Sequence, residues 1–154
     1  MTQENIVGYR LQEGQIDLPA GFTDRTVNVF SSGKPGAAFA LNIARDRAEK
    51  DETLADYVTR QTQMLKKHLR NYQISQRQHM QIGEQKTDAE QVDASYLADS
   101  RKVWQRQLAL FCGENVLIFT ATSTAAFTDH QSHQWEQWVH SFRPWQQQGG
   151  EMYV

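Results

Sequence analysis

Through Val103-Trp104-Gln105-Arg106-Gln107-Leu108-Ala109-Leu110-Phe111 the chain is β-rich. It breaks at Cys112-Gly113-Glu114-Asn115 and resumes in Val116-Leu117-Ile118-Phe119-Thr120-Ala121-Thr122. Two such runs around a short Gly/Asn turn predict a long antiparallel hairpin. Period-two alternation sends Trp104, Arg106, Leu108 and Leu110 to one face, and Val103, Gln105, Gln107, Ala109 and Phe111 to the other. The second face is apolar enough to be covered, yet it carries two glutamines. A covered primary amide without a partner costs about 1 to 3 kcal/mol. Either the protein satisfies these amides itself or a ligand does.

The rest of the pattern surrounds this hairpin. Tyr9-Arg10-Leu11 and Gln15-Ile16-Asp17-Leu18 flank Glu13-Gly14 as a short first hairpin, ended by Pro19-Ala20-Gly21-Phe22. Residues 26–30 and 37–44 alternate around a Ser/Gly/Pro loop and predict a second. In its return strand Phe39, Leu41 and Ile43 make a bulky face, and Ala38, Ala40, Asn42 and Ala44 a shallow one that lets another element come close. Asp51 or Thr53 can cap a helix running to about Arg70, with the stripe Leu54, Val58, Gln61, Leu65 and Leu69. Gln61 stands where that stripe expects an apolar residue. Residues 73–82 and 92–97 read as strands, with turns at 83–88 and Asp99-Ser100. From Ala125 to Phe142, Phe127, Gln131, Trp135, Trp138, Val139 and Phe142 recur at spacings of three and four, predicting a second amphipathic helix. Arg143-Pro144 stops it. The expected architecture is α+β: an antiparallel sheet built from hairpins and packed with two main helices.

Length predicts a single domain over residues 1–145, followed by a flexible polar tail at 146–154. A hydrophobic content of 39%, charged content of 22% and net charge of -2 describe an ordinary soluble globular protein. They give no basic excess to attract nucleic acid. Met1-Thr2-Gln3-Glu4-Asn5 has neither a basic n-region nor an apolar h-region, and no stretch approaches the roughly 18 apolar residues of a membrane span. A cytoplasmic protein without direct membrane insertion is expected. The single Cys112 excludes an intramolecular disulfide and agrees with a reducing compartment.

Motifs for nucleophilic hydrolysis, phosphate loops and dinucleotide binding are missing from the sequence. His130, His133 and His140 share the second helix, but His130 and His133 are flanked by Gln and Ser rather than by carboxylates that would orient metal ligands. Asp46, Asp51, Glu52 and Asp56 suit the positive end of the first helix dipole better than acid/base work. The expectation is a non-enzymatic protein with no cofactor and no metal, whose under-explained amide-bearing face binds a partner.

Several segments together resemble one family: Asp24-Arg25-Thr26-Val27-Asn28-Val29-Phe30, Ile43-Ala44-Arg45-Asp46, Ala55-Asp56-Tyr57-Val58-Thr59-Arg60-Gln61, Arg106-Gln107, and Trp135 through Ser141-Phe142-Arg143-Pro144. In this order and spacing they are similar to the effector-associated (Eag) chaperones of bacterial type VI secretion, in the DcrB-like group with the Mog1/PsbP-like fold. The resemblance implies a cytoplasmic homodimer. It further implies that the dimer holds the N-terminal transmembrane helices of a toxin, next to its PAAR spike domain, until export. By position in the matching motifs, the family's groove residues fall on Val27, Val29, Gln61, Leu65, Leu69, Val103 and Gln107, the Leu65 position being bulkier than in some relatives.

Two further functions belong to other classes. An adaptor for a folded partner such as a small GTPase follows from analogy with the Mog1-like fold alone. An enzyme with a His130/His133 metal centre would require stoichiometric metal.

Overall fold

The computed structural model describes residues 7–32, 39–145, 147–148 and 151–152. Two short strands, β1 (Val7–Arg10) and β2 (Gln15–Leu18), form their own antiparallel ladder. The main sheet comprises β3 (Asn28–Phe30), β4 (Phe39–Asp46), β5 (Arg70–Ile82), β6 (Thr87–Ala98), β7 (Arg101–Cys112) and β8 (Asn115–Ser123). It is antiparallel throughout, in the order β3-β4-β8-β7-β6-β5. Helices α1 (Leu54–His68) and α2 (Asp129–His140) pack on its opposite faces. The fold is therefore α+β, with hairpins supplying the sheet. In the expected polar tail, β9 (Gln147–Gln148) pairs with β10 (Glu151–Met152); the remaining tail positions, like residues 37 and 38 of the second hairpin, lie outside the described residues.

Turn chemistry sets the ladder registers. Asp99 and Ser100 both have positive φ, 50° and 65°, the backbone that matches a two-residue turn to the right-handed strand twist. Gly113 at φ 59° does the corresponding work between β7 and β8. In β5 the register shifts between Ile74 and Gln76. One extra residue reverses which side chains face which way, so Tyr72 and Ile74 enter the core under α1 while Met80 and Ile82 enter the core under α2. Without that bulge, one strand with an unbroken alternation could not serve both cores.

The helices stand on the sheet differently. Over Ala94 and Ala109, α1 lies close, with Tyr57 and Val58 buried beneath it. Thr53 is its cap, with Asp56 closing a capping box. Arg77 fastens its first turns by donating to the Ala55 carbonyl at 2.8 Å, to Thr59 Oγ1 at 2.9 Å and to Glu90 at 3.1 Å. Large rings hold α2 off the sheet: Trp138 meets Phe119 edge-on at 5.3 Å, and Trp135 meets Trp138 at 5.7 Å. Helix α2 is shorter than the 125–142 run, because Thr128 and Gln131 form a capping box at its start and Ser141 ends it. Phe127 and Phe142 still pack into the core from outside the helix. On this face Arg106 clamps Asp93 at 3.0 and 3.2 Å and donates to Ser132 on α2 at 3.2 Å.

Candidate functional site

The chain leaves β4 at Asp46, enters α1, and returns at Arg70, which pairs with Leu97. Asp46 lies opposite Val116 at one end of the ladder, whereas Leu97 lies opposite Lys102 at the other. Helix α1 therefore crosses the sheet diagonally, from the Asp46 corner toward the start of β5. Tyr57 pins the starting corner by donating to Asp46 Oδ2 at 2.7 Å. Burial, followed by the hydrogen bond to the Asp46 carboxylate, pushes the Tyr57 phenol well above its usual range. Helix α1 packs on β5, β6 and β7. Among the described residues, the half of this face nearer β3 and away from the Asp46 corner carries no helix.

What lies there is a row of side chains: Val29 opposite Asn42, Asn42 opposite Thr120, and Thr120 opposite Gln107. The next row places Ala40 opposite Thr122, and Thr122 opposite Gln105. Three inter-strand steps separate Val29 from Gln107, about 14 Å at the usual strand spacing. A helix with side chains is about 10 to 12 Å across. The result is a trough one helix wide, with α1 as one wall and β3 as the other rim.

The residues proposed from sequence lie on or next to α1, β3 and β7, the elements that bound this trough. Gln61, Leu65 and Leu69 stand on the α1 side, partly buried, and the two leucines pack against the core below. Val103 and Gln107 sit on the β7 floor, partly buried. Val29 is 71% exposed on β3, and Val27, just before that strand, is 52% exposed. Gln61 and Gln107 come together: both line a cavity of about 20 Å³ under α1, shared with Tyr57, Val58, Thr62, Val92, Ala109 and Ile118. Gln107 Nε2 also donates to Thr120 Oγ1 at 3.3 Å. Gln61 Oε1 and Gln105 Oε1 are buried without a hydrogen-bond partner. Ala40 and Asn42 belong to the shallow face expected of the return strand, whereas Thr120 and Thr122 carry no signal in the sequence beyond the alternation of β8.

The trough is lined by aliphatic, hydroxyl and amide side chains. Arg25, Arg45 and Arg47 instead border a separate polar depression with Asp24 and Asp46, on the far side of the Asp46 corner. There Arg45 donates to Asn28 Oδ1 at 2.6 Å and Arg47 lies 3.7 Å from Glu114. His130 and His133 are exposed on α2. Among the described residues, no group of three His, Cys, Asp or Glu gathers to hold a metal, and no helix is long and apolar enough to cross a membrane.

Known proteins resemble this chain over most of its length. A Pseudomonas aeruginosa protein named Effector EagT6 is 28% identical over 138 residues, which cover 88% of this chain and 94% of that protein. A solved Pseudomonas aeruginosa structure, PA94, described as of unknown function and as a putative regulator, superposes with a TM-score of 0.74 at 28% identity. That superposition covers 90% of this chain and 96% of the other. The profile of the DcrB family matches residues 13–141. This chain belongs to the DcrB family.

Proposed function

We propose that this protein is a non-enzymatic, cytoplasmic chaperone of type VI secretion, which holds the N-terminal transmembrane helices of a PAAR-containing effector in the trough between α1 and β3 until export. The observation that carries this reading is the course of α1 over β5, β6 and β7, which leaves the row from Asn42 across Thr120 to Gln107 without a helix above it, next to exposed Val29. An apolar helix in water gains about 25 cal/mol per Å² on burial, so a trough of this kind has ample driving force. Amides within it can meet the small polar groups that membrane helices normally present to one another. Likeness to a protein named Effector EagT6 fits an effector-linked role.

Two subunits acting as a claw would cover more of a helix pair than one trough can. The domain is residues 1–145, with 146–154 as an appended tail. Co-expression with the N-terminal fragment of a PAAR-containing effector tests the reading. The chaperone should keep that fragment soluble and co-purify with it. A fragment that stays insoluble, with a folded globular protein captured in its place, would favour an adaptor and contradict the proposal.

A further inference from the structure

A depression of about 580 Å³ opens at the Asp46 corner, walled by Arg25, Arg45 and Arg47 together with Asp24 and Asp46. Its two carboxylates are committed locally. Asp24 accepts from the Thr26 N–H at 2.9 Å and from the Thr26 hydroxyl, and Asp46 accepts from the Tyr57 hydroxyl at 2.7 Å and the Arg47 N–H at 2.8 Å. The guanidinium groups are less engaged. Arg45 uses Nη1 on Asn28 Oδ1 at 2.6 Å and on the Thr26 carbonyl at 3.2 Å. Arg47 lies 3.7 Å from Glu114 in a largely exposed pair, and exposed Arg25 forms no ion pair among the described residues. A guanidinium carries more N–H donors than these contacts use. Acceptors in the depression are therefore taken while donors are left over, and three arginines against two aspartates leave positive charge in surplus.

We infer that this depression is a second docking site, which takes the carboxylates of an acidic segment flanking the helix held in the trough. The inference rests on the chaperone reading and adds a charged anchor to it. Asp46 stands four residues beyond Asn42 on β4, hence on the same face, about 13 Å along the strand. Arg25 comes two residues before exposed Val27, at the head of the β3 rim. Helix α1 starts at this corner, where Tyr57 meets Asp46, so a helix lying along the trough ends its run here and its chain passes the arginines. A membrane helix turns polar where its apolar length runs out, which puts its charged flank at the end of the trough. Surplus guanidinium donors call for an anionic acceptor, and a carboxylate fits the planar fork of an arginine bidentately. Phosphates suit the site less, because Asp24 and Asp46 in its wall repel a dianion and a net charge of -2 gives a nucleic acid no general attraction. At about 1.5 Å per helical residue, a run of about 13 Å places these carboxylates roughly nine residues past the helix position over Asn42.

The probes are two soluble fusions, each with a Leu/Ala helix of about 20 residues, one flanked at both ends by short runs of Glu and the other by Gln. At about 0.05 M salt the full-length parent protein should retain the Glu probe about threefold to tenfold better than the Gln probe, and the preference should fade at about 0.5 M. Arg25→Gln combined with Arg47→Gln should erase the preference and leave retention of the Gln probe at the parental level. Arg101→Gln combined with Arg143→Gln removes the same charge away from the depression and should keep the preference. All four arginines are exposed, so both variants should melt with the parent. Equal retention of both probes by the parent, or loss of the preference in both double variants alike, would overturn the inference while leaving the chaperone reading intact. A short single-stranded oligonucleotide that binds the parent and not the Arg25→Gln, Arg47→Gln variant would assign the depression to nucleic acid and overturn it too. Retention of neither probe would overturn the chaperone reading, and this inference with it.

Discussion

Gln107 and Thr120 face each other across β7 and β8, and the amide donates to the hydroxyl at 3.3 Å, so the floor of the trough is partly satisfied before anything binds. Gln61 meets Gln107 only through the cavity they share under α1. Replacing Gln61 or Gln107 by Ala should weaken capture of an effector helix fragment by about 0.5 to 1.5 kcal/mol each, and the double variant should lose more than either. The measurement is co-purification after a thermal melt confirms folding. Undiminished capture by the double variant would mark both as ordinary boundary glutamines.

The opposite face predicts a contrast. Trp135 Nε1 donates to Gln91 Oε1 at 2.9 Å, with both residues buried, so this amide oxygen is engaged in the core. Gln91→Leu should strand the indole N–H and destabilise the protein by about 1 to 3 kcal/mol in urea titration. An unchanged midpoint would mean that the indole finds another acceptor.

Acid should loosen the entry to α1. The Arg60 guanidinium donates to Glu52 at 2.8 and 2.9 Å and holds that carboxyl down to about 2, from an ordinary 4.5. A carboxyl depressed on folding stabilises the fold above its unfolded pKa, and this contribution fades as pH falls from about 4.5 toward 2. Glu52→Gln should therefore flatten that acid limb of the stability profile. An identical acid limb in the variant would remove the pair as its cause.

The proposed two-subunit claw, which the family resemblance implies and a trough about one helix wide favours, predicts self-association. Light scattering at micromolar concentration should return a dimer, with and without the effector fragment. A monomer under both conditions would contradict the two-subunit claw.

Much of the trough was legible in the chain. Alternation put Gln105 and Gln107 on one face of the hairpin, the helical stripe marked Gln61 as out of place, and Ala40 and Asn42 announced a shallow surface. The diagonal of α1 was not legible, because it depends on where β4 ends and β5 begins to pair, a relation between Asp46 and Arg70 that no local pattern contains. Nor was the β5 bulge, since the polar run around Gln73, Gln76 and Gln78 hides which apolar residues share a face. The short α2 was masked by Phe127 and Phe142, which keep the helical spacing while packing from coil.

In the proposed chaperone the trough, rather than exposed apolar surface in general, holds the helix. Val29 on the β3 rim and Trp145 beyond the end of α2 are exposed to similar degrees, 71% and 74%. Either can accept a carboxylate without burying it. Capture of the effector N-terminal fragment by Val29→Asp and by Trp145→Asp, compared at equal folded concentration, separates the two ideas. Val29→Asp should lose the fragment while Trp145→Asp retains it at the parental level; retention by Val29→Asp, or equal loss by both, would rule the trough out as the holding surface.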